Sequence, residues 1–210
     1  ALLGAREEEV LFTSGGTESN NLVVFGVPRG QRKLLQTSQG ADVKPHVITS
    51  GIEHHAILEP LLWLERAGEI ELTTVGVSRE GLVDIDEVVA AFKPNTVLVT
   101  IMMANNEIGT IEPIADIGRR ILAWRKEQKT TYPYFHTDAC QAAGALDLNV
   151  EKLHVDLLTM NGSKIYGPKG MGLLYVRKGV KLEAIIRGGG QERNIRSGTE
   201  NVPGIMGLAK

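Results

Sequence analysis

Short apolar runs alternate along this chain with stretches whose apolar residues recur every three to four positions, and that alternation restricts the fold more than any other feature. Strands are expected over residues 10–13, 46–50, 69–75, 96–103, 134–138, 156–160 and 172–176. Helices are expected from about 17 to 25 and over 56–67, 84–92 and 113–128, while 31–44 reads as a polar loop. Leu58, Leu61, Leu62 and Leu64 make the core face expected of the second helix. Asp84 is placed to cap the third, and Pro113 stands at the first turn of the fourth. Residues 96–103 are β-branched and apolar enough for a strand buried on both faces. The pattern predicts an α/β fold, a mostly parallel mixed sheet with helices on both faces. Ligands of such sheets bind beyond the carboxyl ends of the strands, and the polar clusters described below all follow strands.

At 210 residues the chain can enclose one medium core. A net charge of −2 argues against a nucleic-acid scaffold, which would be strongly basic. The single cysteine excludes an intrachain disulfide and fits a reducing compartment. No run reaches the roughly 18 apolar residues of a membrane span, and no secretory pattern opens the sequence, so a cytoplasmic location is expected. The first residue is not Met, residues 1–5 read as the middle of a helix, and 204–210 read as a helix cut short, so a fragment is expected.

The residues able to carry chemistry cluster at the strand ends. The apolar run 156–160 leads into Asn161-Gly162-Ser163-Lys164 and then a Gly/Pro turn, which presents Lys164 where a buried strand opens. An amine there can form a Schiff base if it is desolvated or held near other cations. Asp138 and Gln141 stand at the end of another strand, and an Asp, a following Gln and a later Lys are the parts that hold a pyridoxal phosphate ring. An aspartate so placed is costly unless paired, and a protonated pyridine nitrogen would pair it. Cys140 lies between small residues and reads as a structural, inert thiol.

Four further clusters leave two readings open. Thr13-Ser14-Gly15-Gly16-Thr17-Glu18-Ser19 is an ordinary strand-to-helix turn or an anion-binding one, since glycines admit a phosphate to the helix N–H groups. Glu53-His54-His55 is a polar helix start, or it brings an imidazole to stack on a cofactor and move protons; adjacent histidines make a poor metal pair, and no metal site is expected. Asn105-Asn106 makes an Asx turn or offers amides to a carboxylate or ring oxygen. Residues 188–199, rich in glycine and charge, form a surface loop or reach a phosphate across a dimer interface.

Taken together, these motifs resemble the cysteine desulfurases, the NifS/IscS-like branch of the class V aminotransferase superfamily, from about Val10 to the end of the chain. The resemblance rests on residues 12–21, Glu53-His54-His55-Ala56, Asn105-Asn106-Glu107-Ile108-Gly109, Asp138-Ala139-Cys140-Gln141, 163–170 and Arg196-Ser197-Gly198-Thr199, in that order. It implies a pyridoxal 5′-phosphate enzyme of fold type I. Lys164 would be the Schiff-base lysine and the base at the substrate Cα. Asp138 would pair with the pyridine nitrogen, Gln141 with the phenolic oxygen, and His54 would stack on the ring as acid and base. Asn106 would contact the cofactor or the substrate carboxylate. Gly16, Thr17 and Ser163 would bind phosphate, and Thr199 would reach the phosphate of a partner subunit in a homodimer.

The reaction so implied takes sulfur from L-cysteine to leave L-alanine. An enzyme cysteine receives the sulfur as a persulfide and hands it to an acceptor or scaffold protein for iron–sulfur clusters or tRNA thiolation. Two departures stand out. Ser163 and Asn161 occupy places where the family usually has His and Ser, and the persulfide cysteine, the first strand-and-loop region and the arginine that grips the substrate carboxylate have no counterpart here. Residues 1–210 are therefore expected to be a partial cofactor-binding large domain, with an N-terminal segment and a C-terminal small domain missing. Two rivals remain: a selenocysteine lyase, and a truncated, non-catalytic protein that binds pyridoxal phosphate or packs against a partner.

Overall fold

The computed structural model describes residues 2–210. In chain order it forms β1 (Val10–Thr13), α1 (Gly16–Gln39), β2 (His46–Ser50), α2 (His55–Arg66), β3 (Glu71–Val75), α3 (Ile85–Ala90), β4 (Thr96–Thr100), α4 (Ile114–Gln128), β5 (Tyr134–Asp138), α5 (Val150–Leu153), β6 (Leu157–Asn161), β7 (Gly172–Val176) and α6 (Val202–Ala209). The strands make one sheet in the order β1-β7-β6-β5-β4-β2-β3. Every neighbouring pair is parallel except those made by β7, which runs antiparallel to both β1 and β6.

Successive strand residues point to opposite faces, and the core divides accordingly. Val47, Leu98, Leu157 and Leu174 face α1 and α2 through Leu22, Val27, Ile57, Leu61 and Leu64. Their neighbours Ile48, Val99, Leu158 and Tyr175 face α3, α4 and α5 through Val88, Ile114, Ile117, Ile121 and Val150. Asp84 caps α3 by accepting Asp86 N–H at 2.8 Å, and Pro113 stands at the N-cap of α4. Among the described residues no helix is long and apolar enough to cross a membrane, and no cluster of side chains could hold a metal.

The expected polar loop over 31–44 is a correction: α1 continues as helix to Gln39. Its buried stripe does not stop at Phe25. Val24, Val27, Gln31 and Leu35 recur at three- to four-residue spacing, and the amide of Gln31 is taken up by the Tyr134 hydroxyl at 3.4 Å. The strand borders at 69–75 and 96–103 are shorter in the sheet, at Glu71–Val75 and Thr96–Thr100. In α2 the core face is Ile57, Leu61 and Leu64, while Leu62 is 39 % exposed. Residues 2–5 are not helical: Leu3 is buried and its carbonyl accepts Val150 N–H at 3.0 Å, and Gly4 has a φ of +67° that a helix forbids. Residue 1 lies outside the described residues.

Two histidines sit inside the sheet. The ring nitrogens of His46 meet Thr96 Oγ1 and Thr73 Oγ1, each at 2.8 Å, and those of His136 meet Thr100 Oγ1 at 2.8 Å and Thr159 Oγ1 at 3.0 Å. Burial lowers both imidazoles to about 4, so the folded protein keeps them neutral. The unfolded chain takes up these protons near pH 6.5 and the folded protein only near 4. Stability is therefore lost as pH falls from about 6.5 to about 4, by an upper bound on the order of 3 kcal/mol per ring. Urea midpoints should drop across that window and His136→Gln should shallow the slope; a flat profile would contradict it.

Candidate active site

A cleft opens beyond the carboxyl ends of β2, β4, β5 and β6, against the first turn of α1. Counting its open mouth, it encloses about 570 Å³. It brings together Gly16 and Thr17 from α1, His54 before α2, Asn106 after β4, Asp138 and Gln141 at the end of β5, and Lys164 after β6.

Asp138 is 5 % exposed at its strand end. Its Oδ2 accepts Asn20 Nδ2 at 2.6 Å and its Oδ1 accepts the Cys140 N–H at 2.9 Å. Both donors are neutral, so the carboxylate is aimed without being neutralised by a cation. The Cys140 thiol is pushed well up by burial and by the adjoining Asp138, which fits an inert thiol. His54 caps α2: its Nδ1 accepts Ala56 N–H at 3.0 Å. In the neutral ring the proton then sits on Nε2, the atom left to hold or pass one. Lys164 is exposed on a single 3-10 turn, Gly162–Ile165, whose start is capped by Asn161.

The first turn of α1 has no side-chain cap, and its N-cap is Gly15. Its amide N–H groups and the positive end of the helix dipole are left for an anion. Two glycines make this geometry possible. A Cβ on Gly16 would come within 2.7 Å of Cys140 Sγ, and one on Gly172 within 2.5 Å of Gly15 Cα, so the turn can lie against both β7 and the 138–141 segment. Glu18 anchors the neighbourhood: it accepts Ser14 N–H at 2.9 Å and Arg196 Nε at 2.6 Å. Burial works to raise the Glu18 carboxyl, but those hydrogen bonds hold it below the usual range. Through Arg196 the glycine-rich 188–199 segment is tied to the start of α1 and is not free in solvent.

Two candidate residues lie outside the cleft. Ser163 lines an adjoining hollow with Ser14, Gly15 and Lys169, and shares Gly16 and Thr17 with the cleft; its hydroxyl is engaged by Asn161 Oδ1 at 3.2 Å. Thr199 lines a separate groove with Phe12, Ser14, Arg196 and Asn201.

Asn20, whose amide aims Asp138, lies one turn beyond Gly16 and Thr17 on the same helical face, and that i, i+3/i+4 spacing is the one signal in the sequence that points to it. Glu53 and Asn105 share their motifs with His54 and Asn106, and nothing local in the sequence separates their parts. Both prove buried, whereas the residues after them, His54 and Asn106, are exposed.

A family model described as aminotransferase class-V matches residues 1–210. The chain is 49 % identical over 208 residues to the cysteine desulfurase IscS of Dictyoglomus turgidum, covering 99 % of this chain and 48 % of that protein. It is 44 % identical over 210 residues to the cysteine desulfurase of Homo sapiens, covering 99 % of this chain and 42 % of that one. Among solved structures it matches SspA in complex with cysteine, with a TM-score of 0.86 and 40 % identity over 99 % of this chain and 55 % of that chain. A NifS-like protein matches with the same score and identity, over 53 % of its chain. The chain thus spans about half the length of the curated relatives it matches.

Proposed function

The chain belongs to the class V aminotransferase family, and from that premise we propose that it forms the cofactor-holding part of a pyridoxal-phosphate-dependent cysteine desulfurase. The observation that carries the reading is the convergence in one cleft of Lys164, a buried Asp138 aimed by neutral donors, and the uncapped start of α1. The donor set fits a phosphorylated pyridine aldehyde: an amine for the aldehyde, an anion for the ring nitrogen, and free N–H groups with a dipole for the phosphate. Identity of 49 % to a cysteine desulfurase over nearly the whole chain, and the likeness to a protein solved with cysteine bound, support the choice of substrate.

When bound, pyridoxal phosphate supplies the electron sink for charge developing at the substrate Cα. Lys164 would hold the cofactor through its amine, and the same amine would accept and return the substrate Cα proton. Asp138 keeps the ring nitrogen protonated. Gln141 donates to the phenolic oxygen, and His54 covers the ring face with Nε2 available for proton transfer. Gly16, Thr17 and, from the adjoining hollow, Ser163 bind the phosphate. Asn106 orients the cofactor or the substrate carboxylate. Thr199, in its own groove beside the 188–199 segment, reaches the cofactor phosphate of a second copy, so the working unit is a homodimer.

In the overall reaction the substrate C–S bond breaks, Cβ takes a proton, and the sulfur joins a cysteine thiolate as a persulfide, leaving L-alanine. That thiolate lies outside these residues, because Cys140, which lines the cleft beside Asp138, is held as a thiol. An acceptor or scaffold protein then takes the sulfur, in the cytoplasm, for iron–sulfur clusters or tRNA thiolation. The test is alanine release by the full-length gene product loaded with pyridoxal phosphate, given L-cysteine or selenocysteine. Release from cysteine at a comparable rate is expected. A strong preference for selenocysteine would make the protein a selenocysteine lyase, and release from neither would leave a non-catalytic binder.

A further inference from the structure

β2 and β4 are neighbours in the sheet, yet the chain leaves them in opposite directions: from β2 to α2 on one face, and from β4 to α4 on the other. At such a switch point the two loops part and a crevice opens between them. His54 stands on one loop and Asn106 on the other, so the width of the cleft depends on what holds the loops together. We infer that Glu53 and Asn105 are positioning residues, a pair of buried struts that lock the loop bearing His54 to the loop bearing Asn106. The role assigned to the cleft rests on the cofactor reading above, but the struts themselves do not.

Glu53 is 5 % exposed. Its Oε1 accepts Ser50 Oγ–H at the end of β2 and Met102 N–H beyond β4, both at 2.7 Å. Asn105, also buried, answers from the other side: its Nδ2 donates to the Ile52 carbonyl at 2.9 Å. Its Oδ1 accepts Glu107 N–H at 2.8 Å and Ile108 N–H at 3.0 Å, which folds the turn bearing Asn106. Each strut therefore crosses the gap, and each directly precedes an exposed residue of the cleft. A backbone that buries one side chain in an extended or turn conformation sends the next the other way.

Glu53 works here as a neutral acid. Burial raises its carboxyl to about 8, with the charges of Asp138 at the end of β5 and of Glu112 before α4 pushing the same way; the bonds from Ser50 and Met102 oppose them. With Oε1 taken by two donors, the proton belongs on Oε2, which has no partner among the described residues. An amide of the same shape can thus replace the acid without giving up either bond.

The test compares Glu53→Gln, Glu53→Ala and Asn105→Ala with the wild type by pyridoxal phosphate affinity, the spectrum of the bound cofactor, the His54 ring resonances and amide exchange at Met102. Glu53→Ala and Asn105→Ala should each weaken cofactor binding about tenfold and speed Met102 exchange, the effect of losing a buried hydrogen-bonded strut. Glu53→Gln should stay within about twofold of wild type at pH 7 and, unlike wild type, lose no affinity between pH 7 and 9 through ionisation at this position. A folded Glu53→Ala with unchanged affinity and unchanged His54 resonances would overturn the inference. If that variant does not fold, Asn105→Ala and the Glu53→Gln pH profile decide, and profiles identical to wild type would overturn it equally. If the wild type binds no pyridoxal phosphate, the functional reading falls, and Met102 exchange with the His54 resonances in ligand-free protein still judges the struts.

Discussion

The Lys164→Ala variant is expected to form no covalent adduct with pyridoxal phosphate. Wild-type protein incubated with the cofactor should keep a visible absorption band through dialysis, and borohydride followed by peptide mapping should place the trapped cofactor on Lys164. The variant should show neither. It should still bind the cofactor reversibly, because the N–H groups at the start of α1 and the carboxylate of Asp138 do not depend on the lysine. Folding should hardly change. Lys164 is exposed on a 3-10 turn and packs into neither core cluster, and surface substitutions of that kind move stability by about 0.5 kcal/mol or less. The spectroscopic loss therefore comes without a melting loss, which separates a site defect from an unfolded protein. An adduct that persists in Lys164→Ala, or that maps to Lys169, would remove the lysine from its role.

The sheet could be read from the chain because a strand buried on both faces leaves a purely local mark, a short apolar β-branched run such as residues 96–100. The polar half of α1 could not, because its helix is held by partners far away in sequence. The Tyr134 hydroxyl takes up Gln31, the Glu183 N–H donates to the Gly26 carbonyl at 2.9 Å, and Arg29 pairs with Glu69 at 3.1 Å. The site divides in the same way. Asp138 ends a strand, and Lys164 and His54 stand within four residues after one, so the rule that ligands lie beyond carboxyl ends finds them. Glu53 and Asn105 carry the same kinds of polar group as their neighbours, and only burial, which is a tertiary property, separates the strut from the exposed residue beside it.

Asp156→Ala should be the most destabilising of these substitutions, by about 3 kcal/mol or somewhat more. Asp156 is 4 % exposed and lies directly before β6, at the end of the sheet away from the cleft. Its Oδ2 accepts the Phe135 N–H at 2.8 Å, pairs with Arg125, whose side chain is 11 % exposed, and its Oδ1 lies 3.5 Å from Arg177 Nε. Removing the carboxylate leaves a nearly buried guanidinium without its counter-charge and a buried backbone N–H without an acceptor, and both effects act in the same direction. Two features bound the loss. Arg125 keeps the Pro133 carbonyl, which its Nε reaches at 2.8 Å, and Arg177 keeps Glu151 at 2.8 Å. Asp156→Asn should cost less, since an amide oxygen can still accept from Phe135. With about 5–15 kcal/mol holding a domain folded, the alanine variant should show a large drop in urea midpoint at pH 7. While still folded it should bind pyridoxal phosphate as the wild type does. A loss below about 1 kcal/mol would mean that water screens the pair as it does on an open surface. Weakened cofactor binding in the folded variant would mean that the two ends of β5 and β6 are coupled, contrary to a structure that keeps the ion pair at one end and the cleft at the other.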